Sequence, residues 1–216
     1  MNYIRVSASY LFNIIISDEK EDLFLLVKSD RRDQYQPIGG CYKYFPEAIE
    51  FLTTLGFVPE KKSNGVDSSF DIRMAIPEEN IELFLNWYNS GKGRETSFYR
   101  EFIEEVVNYL PEEQKQNFSK LCCELIKKGV CDIFFDDEKK IKSIKPMDII
   151  AIKLTPVQFH NIRQLVYSNS SRFILATRKD IENGFKLDDS FNKLTIGAHT
   201  YKILIDKNYD KISKKR

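Results

Sequence analysis

The sequence predicts an α/β (α+β) fold, a mixed sheet flanked by helices, with helical content over 41–92 and a C-terminal half that contains helices. Three observations lead there. Segments rich in Ile, Val, Phe and Tyr, the composition of strands, recur from residue 3 to residue 205. Segments with apolar residues three and four apart, the pattern of amphipathic helices, alternate with them. Apolar residues make up 42% and charged residues 30% of the 216, a balance that buries a core.

Residues 3–17 and 22–28 read as two strands of a hairpin, separated by the polar run Ser17-Asp18-Glu19-Lys20. Leu23-Phe24-Leu25-Leu26-Val27 is continuously apolar, so that strand is expected at the centre of the sheet with both faces covered. The charged loop 29–34 leads to Pro37 and to Gly39-Gly40, where the backbone is free to take positive φ and to approach a ligand closely. Pro46 opens a short helix through Leu52 that Gly56 ends. Residues 61–69 form a loop, 70–76 a strand closed by Pro77, and 78–88 an amphipathic helix on Ile81, Phe84, Leu85 and Tyr88. Asp71 and Arg73 share the polar side of that strand. Ser90-Gly91-Lys92-Gly93 then breaks the chain.

After the break comes an acidic helix, discussed below, and then a second helix expected from Pro111 to about Lys128. It would turn Phe118, Leu121, Cys122 and Leu125 inward, with Gly129 as its cap. Residues 130–135 and 147–154 read as strands, with a charged turn at 136–140. Thr155-Pro156 starts a helix to about Tyr167. A strand at 171–177, a short helix at 179–183 stopped by Gly184 and a last strand at 200–205 follow. The organisation expected is a single domain over 1–205, carrying the 41–92 insertion, and a flexible basic tail at 206–216.

Glu101, Glu104 and Glu105 stand at i, i+3 and i+4, so a helix brings three carboxylates onto one face. Ile103, Val106, Val107 and Leu110 fall on the other, as a buried stripe. An acidic helix face is ordinarily just solvated. Like charges at this spacing repel by about 0.2–0.5 kcal/mol per pair, and a hard divalent cation would relieve that.

Arg100-Glu101-Phe102-Ile103-Glu104-Glu105 resembles the core of the Nudix box, Arg-Glu-apolar-any-Glu-Glu, and Gln34-Tyr35-Gln36-Pro37-Ile38-Gly39-Gly40 resembles the Gly-Gly segment that precedes it. The resemblance implies a Nudix-like fold and hydrolysis of nucleoside diphosphates linked to another moiety, with Mg2+ or Mn2+. It implies Glu104 and Glu105 as metal ligands, Glu101 as a third ligand or the base, and Arg100 as a brace for the carboxylates. Gly39 and Gly40 would contact substrate. The sequence departs from the full box: Lys92 stands where a further Glu is expected and Val107 where a Gly is, and the stretch between Gly40 and Glu95 is much longer than the family's, which makes 41–92 an insertion. Glu95 is the stand-in for that missing metal-binding Glu. Ser9-Tyr10-Leu11-Phe12, Asp71-Ile72-Arg73 and Arg94-Glu95 extend the resemblance to the divergent Nudix domains found beside the second-messenger nucleotidyltransferases of bacterial anti-phage operons. Two functions then compete: a hydrolase of a nucleotide substrate, and a catalytically weak sensor that binds a nucleotide messenger and signals to a partner protein.

Composition narrows the rest. A formal net charge of +1 gives no global attraction to bulk nucleic acid or to an anionic membrane. Cys41, Cys122, Cys123 and Cys131 lack zinc-site spacing and read as reduced thiols. Asn13 and Asp18 interrupt the first apolar stretch, which therefore reads as neither a signal peptide nor a span, and the expected location is cytoplasmic.

Overall fold

A computed structural model describes residues 2–17, 21–60, 70–129 and 132–205. In chain order the first elements are β1 (Tyr3–Ser7), β2 (Ser9–Ser17), β3 (Asp22–Lys28), β4 (Tyr35–Pro37), β5 (Gly39–Cys41) and α1 (Ile49–Thr54). Then come β6 (Val58–Pro59), β7 (Arg73–Pro77), α2 (Ile81–Ser90), α3 (Tyr99–Glu105) and α4 (Glu112–Lys115). The chain continues with β8 (Cys122–Lys127), β9 (Phe134–Asp136), β10 (Ile141–Ile144), β11 (Met147–Lys153) and α5 (Pro156–Ser168). It ends in β12 (Phe173–Thr177), α6 (Arg178–Asn183), β13 (Phe185–Leu187) and β14 (Lys193–Thr195), followed by a 3-10 turn at Ala198–Ile203. Mixed sheets and helices give the α/β content expected. No helix among the described residues is long and apolar enough to cross a membrane.

The chain divides into two compact units, each assembled from three stretches: Met1–Tyr10, Gly39–Arg100 and Lys127–Asp148 in the first, Leu11–Ile38, Glu101–Ile126 and Ile149–Arg216 in the second.

The first unit is built on a five-stranded sheet in the order β6-β7-β1-β10-β9. Only the β1–β10 pair is parallel. Strict alternation puts Ile4 and Val6 of β1 inside, and register sets them beside Ile76 and Met74 of β7, all buried. Leu52 of α1 and Phe84 and Tyr88 of α2 complete this core. The expected stops hold: Gly56 at φ 68° follows α1, and Gly91 at φ 71° caps α2. The charged turn between β9 and β10 is also where the sequence puts it.

In the second unit β3 is flanked by β2 and β12, antiparallel to both. Phe24, Leu25, Leu26 and Val27 are all buried, so both faces of this strand are covered as the apolar run predicts. Thr155 and Gln158 form a reciprocal capping box at the start of α5, and Thr177 and Asp180 do the same for α6.

Three expectations are corrected. Residues 3–17 are two strands, not one: Ala8 separates β1 from β2, and only β2 makes the hairpin with β3. The long helix expected over 111–128 is one turn of α4 and a 3-10 turn ending at Phe118, after which the chain becomes β8. The Gln158 side chain donates to the carbonyls of Asn117 and Lys120, which a continuing helix would need for its own ladder. Cys122 and Leu125, expected inside, are exposed on β8. The last strand, expected at 200–205, is the 3-10 turn Ala198–Ile203, with Thr200 and Ile203 buried at the three-residue period of that helix. Residues 61–69, 130–131 and 206–216 lie outside the described residues.

Candidate functional site

In the first unit the residues before and at the start of α3 are tied down tightly. Gly91 and Gly93 both take positive φ, which L side chains resist, and turn the chain after α2. Arg94 then lies over the rings of Tyr88, at 4.1 Å, and Tyr42, at 5.2 Å. Its Nε donates to the Tyr88 carbonyl and its Nη1 to the Glu95 carbonyl. Backbone bonds join Glu95 to Lys43, and the Lys43 N–H also donates to the Glu95 carboxylate. Glu95 is buried, and Arg100 grips it: Nε donates to Oε1 and Nη2 to Oε2, while Nη2 also reaches the Cys41 carbonyl at 2.9 Å. Beneath, the Tyr42 hydroxyl donates to Asp148 at 2.6 Å, and the Gly129 N–H donates to the other oxygen of the same carboxylate. Burial, then the hydrogen bond to Asp148, pushes the Tyr42 phenol far above its ordinary value, so it stays protonated. Gly39, with φ 152°, and Gly40 lie half-exposed on β5.

Within the second unit α3 continues to Glu105, and Phe102 is its buried residue. Phe102 packs between Phe12 and Phe118, each 5.9 Å away. The predicted stripe is only partly helical: Ile103 is half-buried, while Val107 and Leu110 are buried in the turn after the helix. Glu104 is exposed, and Glu101 and Glu105 are half-exposed. Arg172 approaches this helix. It pairs with Asp30 and lies 5.1 Å over the Tyr109 ring. Burial opposes its charge, but Asp30, then Tyr109 and Glu105, outweigh that and hold its pKa above the usual guanidinium value. No sequence signal marks Arg172, since its partners come from two distant stretches of chain, Asp30 in one and Glu105 and Tyr109 in the other.

The structure thus brings Glu95 and Arg100 together and sets Glu101, Glu104 and Glu105 on one helix. Carboxylate oxygens are the donors that magnesium and manganese take. Among the described residues, however, no three His, Cys, Asp or Glu side chains gather closely enough to hold an ion, and both Glu95 oxygens serve Arg100.

No curated protein matches the chain. No solved structure matches it either. Among protein families, the model described as the SMODS-associated NUDIX domain matches residues 3–204, nearly the whole sequence. The chain therefore belongs to the SMODS-associated NUDIX domain family.

Proposed function

We propose that the protein is a metal-dependent hydrolase of a nucleoside diphosphate-linked or related nucleotide, working in the cytoplasm beside a second-messenger nucleotidyltransferase in anti-phage defence. The observation that carries this reading is the fixed Arg100, locked by Glu95 and the Cys41 carbonyl at the start of a helix that presents Glu101, Glu104 and Glu105. Those three glutamates, not gathered into an ion site among the described residues, would have to converge to hold magnesium or manganese, which when bound would neutralise phosphate oxygens and acidify a water. Glu101 serves as a third ligand or as the base. Glu95 acts here as the brace of Arg100. Gly39 and Gly40 let the backbone come close to phosphate, with no side chain in the way.

A second reading, a sensor that binds the nucleotide and signals to a partner protein, draws support from the carboxylate arrangement. No three gather among the described residues, and Lys92 and Val107 replace two residues of the full box. The experiment that separates the two is turnover of a broad nucleotide panel with magnesium, with chelator and in Glu105→Gln. The hydrolase reading expects product from the wild type only, and only with metal. Hydrolysis that survives both chelation and the substitution refutes the metal assignment. Binding without any product selects the sensor.

A further inference from the structure

The first unit presents an aromatic patch that its own fold leaves open. The Phe51 ring of α1 lies 6.2 Å from that of Trp87 on α2, and Trp87 leans on buried Phe84 at 5.5 Å. Leu83 precedes Trp87 by one helical turn and so shares its face. Leu83 is 54% exposed and Phe51 37%, whereas Leu52, Phe84 and Tyr88 beside them are buried. Three large apolar side chains from two helices therefore form one contiguous surface over a rigid aromatic base.

Its rim on the two helices is acidic, with exposed Lys92 standing at the Ala48 end. Glu47 and Glu50 on the α1 side, and Glu79 and Glu82 on the α2 side, are all exposed. Residues 45–57 and 78–91 contain no Lys or Arg. A negative rim repels nucleotides, nucleic acid and anionic lipid. It also opposes an isologous contact with a second copy, which would set the same glutamates against themselves. What it favours is a polypeptide carrying aliphatic residues along one side and cations along the flanks.

We propose that Phe51, Leu83 and Trp87 form the docking surface for a basic amphipathic segment of a partner protein. The apolar side chains of that segment cover the rings, and its Lys or Arg side chains meet the surrounding glutamates. Aromatic residues centred in such a patch are the usual carriers of binding energy.

Trp87 is the single tryptophan of the chain, so its emission reports occupancy directly. The probe is a tryptophan-free peptide of about 18 residues, Leu and Lys at helical spacing, titrated into the full-length protein. The expected result is a saturable blue shift that weakens with salt. Affinity should fall by about tenfold or more in Leu83→Ser and, separately, in Glu79→Lys/Glu82→Lys, both being exposed positions whose variants keep the wild-type thermal midpoint. The same peptide with Glu in place of Lys should not bind. The proposal is overturned by an unresponsive Trp87, by equal binding of the acidic peptide, or by equal binding in both variants. It is also overturned if Trp87 emission changes with protein concentration alone, which assigns the patch to a second copy, or on deletion of 206–216, which assigns it to the chain's own tail.

Discussion

Arg100 holds Glu95 side-on, with two separate nitrogen-to-oxygen bonds of 3.1 Å each. The Glu95 side chain is 10% exposed and that of Arg100 25%, so the pair sits where breaking it leaves a carboxylate short of water. Arg100→Ala should therefore destabilise the protein by roughly 2–4 kcal/mol, somewhat below a fully buried pair because Arg100 keeps partial contact with solvent. Arg100→Lys should recover only part of this, since an ammonium cannot reproduce the two-nitrogen geometry. Urea unfolding midpoints of the two variants check the order.

Gly129 is the second stringent position. A Cβ there would come 2.1 Å from the Met147 backbone nitrogen and 2.8 Å from the Pro146 carbonyl carbon. Neither atom is the end of a flexible side chain, so the backbone itself must move. Its N–H also donates to Asp148 at 2.7 Å, and Asp148 in turn accepts from Tyr42. Gly129→Ala should destabilise by about 3 kcal/mol or more. A thermal midpoint within a degree or two of wild type would contradict the geometry.

His199 makes stability depend on pH in a definite direction. Burial, then the charges of Lys202 and Arg32, hold its pKa below the ordinary 6.5. The unfolded chain thus binds a proton that the folded one resists, and stability rises with pH across this window. The contribution is complete above the unfolded value and is lost as pH falls through the folded one. Glu60 and Asp136, whose carboxyls sit below their ordinary values of 4.5 and 3.8, lose stability only at more acid pH. Between about pH 7 and pH 5 the thermal midpoint should drop in the wild type and drop less in His199→Gln. Equal slopes would show that His199 does not titrate on unfolding.

Asp30, then Tyr109 and to the smallest extent Glu105, favour the Arg172 charge within the second unit. If the acidic helix takes up a divalent cation, Arg172 is a resident positive charge that competes with it. Arg172→Met should then raise manganese affinity several-fold, measured by electron spin resonance of the free ion. It should leave most of the stability intact, because its main partner Asp30 is 74% exposed. Weaker manganese binding in this variant would remove Glu105 from the ligand set.

Local chemistry made much of this fold legible. Thr155-Pro156 announces a helix start, Gly56, Gly91 and Gly184 announce ends, and Leu23 to Val27 announces a covered strand, because each signal acts within a few residues. The failures share the opposite property. Nothing near Asn117 or Lys120 says that Gln158 will occupy their carbonyls, so apolar spacing at 118, 121, 122 and 125 imitated a helix. The motif offered Arg100 as a brace for the helix carboxylates, whereas its grip on Glu95 and its tie to the Cys41 carbonyl, 59 residues away, were not readable. Arg172 was not legible for the same reason, its partners being Asp30, Glu105 and Tyr109.

β1 pairs in parallel with β10, joining Arg5 to Ser143 and Val6 to Ile144. This pairing sets the order of events during synthesis on the ribosome. β1 must wait for a partner that follows β2 to β9 in the chain, whereas its other neighbour, β7, is made earlier. Loop closure over such a span is slow, so the first unit finishes its sheet late and neither unit can be cut from the gene as one uninterrupted piece.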